Sequence, residues 1–217
     1  MASTGDKNTL LSTNENNDPA CFLPEGSESL FQYIQEDLKN EANSDPEELT
    51  EGNYTVKVFL KAAEKGKIDY ALKILEKDAS LINCKDSDGY SALHRAAYNG
   101  HDHMVKVLLN HGADICSLTE NNWQPLHCAC RWDQAEVASV LLQNDADINA
   151  QTSGGQTPLH LAATYTRDNL LLEVLLMDKR LDPNIVNCQN QTALDLAKRS
   201  GKESLFELIE GSVNVQW

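Results

Sequence analysis

The chain has 217 residues, 41% of them hydrophobic, which is enough to bury a core without disulfide or metal staples. Its 33 Asp and Glu against 18 Lys and Arg give a net charge of −15, a field that repels phosphate backbones and anionic lipid, and no basic run longer than the pairs Lys179-Arg180 and Lys198-Arg199 offsets it. Direct nucleic-acid binding is thereby disfavoured, and apolar runs of about four residues, such as 174–177, fall far short of the ~20 needed to cross a membrane.

Residues 1–52 hold 12 acidic and 2 basic side chains, a net of −10, which leaves −5 of the −15 for residues 53–217. This acidic leader is rich in Asn, Ser and Glu and too poor in apolar residues to offset its backbone entropy, so disorder is expected. One stretch, 29–40, departs from that pattern. Ser29 begins a capping-box sequence, and Leu30, Phe31, Ile34 and Leu38 then share one helical face, a short helix suited to docking on a partner or on the chain itself. The first residues have no basic, apolar and small-residue succession of a secretory signal, so an intracellular protein with reduced cysteines is expected, in nucleus, cytoplasm or both.

From residue 53 onward the sequence repeats. His94, His127 and His160 stand 33 residues apart, within Ser91-Ala-Leu-His94-Arg-Ala-Ala97, Gln124-Pro-Leu-His127-Cys-Ala-Cys130 and Thr157-Pro-Leu-His160-Leu-Ala-Ala163. The pairs Leu108-Leu109, Leu141-Leu142 and Leu175-Leu176 follow nearly the same step. A hydroxyl residue followed by Pro starts a helix, because the side chain caps free amides and Pro at the first turn forfeits nothing. Paired alanines at 96–97 and 162–163 let a neighbouring helix approach closely. Gly100 and Gly112 supply left-handed breaks after the first and second helices of their unit, and Asp133 and Asp145 stand at the same breaks one unit later. A helix pair of this size has no core of its own, so the units must stack. The period divides the chain into five units: 53–85, 86–118, 119–151, 152–186 and 187–217. The fourth is two residues longer, with extra residues near 165–168 and 177–180. The first lacks the histidine run, and the last puts Asp195 in its place.

In these motifs the chain resembles the ankyrin-repeat family. The resemblance implies an all-α ankyrin-repeat solenoid, a non-enzymatic adaptor acting by protein–protein interaction, and no cofactor or metal; a monomer is expected. It also implies that the three histidines stack like rungs and bond the hydroxyl and backbone of their own unit. His101, His103 and His111 read as solvated helix residues. Cys128-Ala-Cys130 has one intervening residue where zinc pairs want two to four, and Cys130 falls in a small-residue slot, so the thiols read as structural. No nucleophile elbow or phosphate loop is present.

In this family partners bind the concave side, formed by the first helices and hairpin tips. Positions one, four and five after each histidine share a helical face. They hold Arg95, Tyr98 and Asn99, then Cys128, Arg131 and Trp132, then Leu161, Thr164 and Tyr165; the hairpin tips add Tyr90 and Trp123. Aromatic and arginine side chains dominate binding energy at interfaces, so Tyr90, Arg95, Tyr98, Trp123, Arg131, Trp132 and Tyr165 are the expected protein-binding residues. An alternative is that the chain is a substrate. Asn149, eight residues after Leu141, resembles the hairpin site modified by asparaginyl hydroxylases, and Asn184 sits in a similar setting.

Overall fold

The structure, a computed structural model, describes residues 51–167 and 169–207. The acidic leader up to residue 50, its helix at 29–40 and the end of the last unit lie outside the described residues. All described residues belong to one structural unit, 44–217.

Helices come in pairs at the expected period: α1 (Glu51–Glu64) with α2 (Ile68–Lys77), α3 (Ala92–Tyr98) with α4 (Asp102–Asn110), α5 (Pro125–Arg131) with α6 (Ala135–Gln143), and α7 (Pro158–Tyr165) with α8 (Leu170–Leu176). α9 (Ala193–Ser200) opens the fifth pair, and residues 203–207 are again helical. α1 already runs at Glu51, two residues ahead of the expected boundary at 53. A 3₁₀ turn, Ala79–Asn83, follows α2, started by Asp78, whose carboxylate accepts from the Ser80 N–H.

First helices pack in one row, α1, α3, α5, α7, α9, and second helices in another, α2, α4, α6, α8. The core lies between units. Ala96, Ala97, Ala129, Cys130, Ala162 and Ala163 are fully buried at the helix contacts, where any larger side chain would hold the neighbours apart. Met104, Val105 and Leu108 of α4, Val137 and Leu141 of α6, and Leu171, Leu172 and Leu175 of α8 close the core from the second row.

The breaks behave as their residues require. Gly66, Gly100 and Gly112 take positive φ, and Asp133 (φ 60°) and Asp145 (φ 64°) adopt the same left-handed geometry without being glycine. In the fourth unit Thr166 turns into extended backbone instead (φ −60°, ψ 143°), the conformational consequence of its extra residue. At the hairpin tips Asp86 Oδ1 accepts from the Asp88 and Tyr90 N–H groups. Successive tips are joined by backbone bonds, Glu120 N–H to Asp88 O (3.2 Å), Ser153 N–H to Asn121 O (3.0 Å) and Cys188 N–H to Gly154 O (3.1 Å). Gly89 (φ 83°) is needed twice over: its conformation is left-handed, and a Cβ there would lie 2.9 Å from Thr119 Cα. Among the described residues no helix is long and apolar enough to cross a membrane, and no three His, Cys, Asp or Glu side chains are grouped to hold a metal.

Candidate protein-binding face

The three period-defining histidines are buried at the base of the face. Each Nδ1 accepts from the backbone N–H three residues earlier: Ser91 (3.2 Å), Gln124 (3.0 Å) and Thr157 (3.3 Å). Because Nδ1 accepts, Nε2 carries the proton, and it donates to carbonyls: His94 to Trp123 O (2.9 Å), His127 to Ala150 O (3.0 Å) and Gln156 O (3.2 Å), His160 to Gln191 O (2.9 Å). The expected bonds to the own unit are present at Nδ1, where Ser91 Oγ (2.9 Å) and Thr157 Oγ1 (2.8 Å) also lie, and Nε2 adds a second role by tying each first helix to the hairpin of the next unit. Burial opposes the imidazolium and pushes His94 and His127 down to about 4; His160 is lowered for the same reason. In the last unit Asp195 does only the first of these jobs, its Oδ2 accepting from Thr192 N–H (3.0 Å) and Oγ (2.9 Å).

Above the histidines, at the C-terminal ends of the first helices, four of the expected binding residues form one continuous ladder. Tyr98 ends α3, Trp132 caps α5, and their rings lie 4.4 Å apart, tilted by 49°. The Arg131 guanidinium sits over Trp132 at 4.9 Å and over Tyr165, the last residue of α7, at 3.6 Å. The order across three units is Tyr98, Trp132, Arg131, Tyr165. Side chains stacked in this way have already lost rotamer freedom, so a partner does not bear that cost. All three rings remain exposed, Tyr98 by 40%, Trp132 by 43% and Tyr165 by 43%, which leaves that surface for a further contact.

The other expected residues lie elsewhere. Tyr90 packs edge-on against His94 (5.7 Å) and Trp123 against His127 (6.1 Å), both partly buried beside the hairpins and outside the ladder. Arg95 is occupied: it pairs with Asp86 Oδ2 and lies 3.7 Å from Glu64 Oε2, tying its hairpin to the end of α1. Arg95 is therefore a clamp between units. Cys128 and Leu161, placed on the same open face by helical spacing, are buried, because the position after the histidine faces the adjoining first helix. His101 is likewise reassigned from solvated to structural: its Nε2 donates to Glu64 O at 2.9 Å, satisfying the end of α1.

Sequence reasoning missed Asp133, Gln134 and Arg167 as site residues beside the ladder. With Arg131, Trp132 and Tyr165 they line an open cleft of about 430 Å³. Asp133 Oδ2 accepts from the Arg167 N–H at 2.9 Å, while Oδ1 is buried with no hydrogen-bond partner. The left-handed φ of Asp133 turns the chain here, and no sequence periodicity signals what its carboxylate meets.

The hairpin asparagines are built into the stack. Asn149 Nδ2 donates to Arg180 O (2.7 Å) and its Oδ1 accepts from Asp182 N–H (2.9 Å), both in the following hairpin. Asn83 repeats the arrangement, with Gly112 O (3.3 Å) and Asp114 N–H (2.8 Å). Asn184 is exposed and tied through its backbone N–H to Asp182 Oδ1 (3.0 Å).

Family models for ankyrin repeats match residues 59–152 (three copies) and 141–197 (many copies). The chain belongs to the ankyrin-repeat family. It is similar to the ankyrin repeat domain-containing protein 49 of Bos taurus, 47% identical over 204 residues that cover 89% of this chain and 84% of that one. The protein of the same description in Homo sapiens is 46% identical over 199 residues, 89% and 83% of the two chains. The BCL-6 corepressor-like protein 1 of Homo sapiens is 35% identical over 166 residues, 72% of this chain and 7% of that much longer one. Ankyrin repeats typically serve as protein-interaction modules, and the observed stack of helix pairs with joined hairpins is the architecture of that family.

Proposed function

We propose that the chain is a non-enzymatic adaptor that holds a segment of a partner protein on the Tyr98–Trp132–Arg131–Tyr165 ladder. The carrying observation is that three aromatic rings and a guanidinium from three units are stacked, ordered and still open. Rings of this kind add binding energy only when a partner removes their remaining surface from water, and truncating such a contact costs about 2 kcal/mol or more. Asn149 uses its side-chain amide as both donor and acceptor within the stack, which favours a structural use of that residue over the alternative of a hydroxylase substrate. The likeness to a corepressor-like protein supports a partner in transcription control, with the protein in the nucleus, the cytoplasm or both.

The test is proximity labelling in cells with the wild type, with Tyr98→Ala plus Trp132→Ala, and with Met177→Ser as a surface control, since Met177 is 78% exposed away from the ladder. The double variant must first show wild-type helicity by circular dichroism. Loss of a defined set of neighbours in the double variant alone is expected. Retention of every neighbour by a folded double variant overturns the reading.

A further inference from the structure

The ladder borders a cleft whose charge runs against that of the rest of the chain. Arg95 and Arg180 are held by carboxylates, whereas among the described residues no carboxylate pairs with the guanidinium of Arg131 or Arg167, and both line the cleft beside Trp132 and Tyr165. Among the described residues the acidic side chain lining it is Asp133, whose Oδ2 is engaged by the Arg167 backbone and which lies in the field of Lys202, itself a donor to Thr166 O at 2.6 Å. Among the described residues the lining therefore carries two cations, Arg131 and Arg167, to one carboxylate, on a protein of net charge −15. The Arg131 guanidinium lies over the Trp132 and Tyr165 rings, and a guanidinium whose N–H groups meet no carboxylate among the described residues suits one from a partner.

We infer that the segment recognised here is acidic: a partner Asp or Glu pairs with Arg131 and Arg167, and a neighbouring aromatic or large apolar residue covers Trp132 and Tyr98. This rests on the ladder being the binding face. Two features set the chemistry. Charge complementarity disfavours a basic segment, and the adjoining exposed rings call for an apolar neighbour to the carboxylate.

The probe is a random peptide library displayed on phage, selected against the immobilised full chain and, in parallel, against Arg131→Gln plus Arg167→Gln and against Trp132→Ala. Among the described residues neither Arg131 nor Arg167 makes an ion pair, but Arg131 lies over Trp132 and Tyr165, so the double glutamine variant is compared after circular dichroism shows wild-type helicity, and Arg167→Gln alone, outside the ladder, reads the charge without disturbing the rings. The expected result is enrichment of peptides with Asp or Glu beside an aromatic or large apolar residue on the wild type. Synthetic copies should lose at least about tenfold in affinity for the glutamine variant and weaken as salt is raised. Peptides that depend on Trp132 yet show no acidic preference, or bind the glutamine variant equally well, overturn the inference and leave the ladder intact as a binding face. Peptides indifferent to Trp132, or no enriched peptide at all, remove the binding face and the inference with it.

Discussion

Lowering the pH from 7 to 5 should destabilise the stack through its buried histidines. In the folded chain Nδ1 of His94 and His127 accepts a backbone N–H, so protonating it sets two donors against each other in a buried site, and the two groups are held down to about 4. In the unfolded chain they titrate near the ordinary value of ~6.5. A histidine with a depressed folded value stabilises while neutral: the contribution is complete above the unfolded value and is lost as pH falls from about 6.5 to about 4, where the unfolded chain binds more protons. At pH 5 each ring forfeits about 2 kcal/mol, and the pair about 4 kcal/mol, with His160 adding in the same direction. That is a large share of the 5–15 kcal/mol typical of a folded domain. The depressed carboxylates do not confuse the window. Asp102, held down to about 2 by its bond from Lys106, and Asp178 beside Arg180 stay ionised at pH 5 in both states, and their contribution is lost only at lower pH. Urea unfolding followed by circular dichroism at pH 7, 6 and 5 measures the effect. The midpoint should fall steadily, and a His94→Asn plus His127→Asn variant should start less stable at pH 7 but respond more weakly to pH. Wild-type stability constant to within about 1 kcal/mol over this range, or an equal slope in the variant, refutes the reasoning.

Of the five cysteines in the described residues, Cys128 and Cys130 are fully buried, and burial pushes the Cys128 thiol up to about 12 and Cys130 higher still. With a thiol-reactive disulfide reagent at pH 8, the exposed Cys116 and Cys188 should react in the native protein, and Cys128 and Cys130 only on unfolding; rapid native labelling of either, located by peptide mass mapping, contradicts the packing described. Replacing Asn149 by Ala strands Arg180 O and the Asp182 N–H and should cost about 1–2 kcal/mol in urea unfolding, whereas Asn184→Ala should stay within about 0.5 kcal/mol. Equal costs at the two positions would show that the Asn149 cross-link carries no stability.

The fold was legible because a helix pair of about 33 residues cannot bury its own apolar face, so a 33-residue period admits stacking and little else. Helix starts at Ser91, Gln124 and Thr157, the small residues at the helix contacts, and the left-handed turns at Asp133 and Asp145 all follow from local chemistry that each residue carries with it. The period also put Trp132 and Tyr165 in equivalent places, five residues after their histidines, with Tyr98 one position earlier in its own unit. What it could not supply is the sideways offset between neighbouring units, which decides the partner each equivalent residue meets. That offset turned Arg95 toward Asp86 and Glu64 while leaving Arg131 over two rings, although the two arginines stand only three positions, less than one helical turn, apart in the repeat. It carried the histidine Nε2 atoms to carbonyls of the following hairpin, and it left Asp133 with one bonded and one orphaned oxygen. Periodicity is a property of one chain segment compared with itself; a contact between units depends on backbone twist accumulated over both, and that exists only in three dimensions.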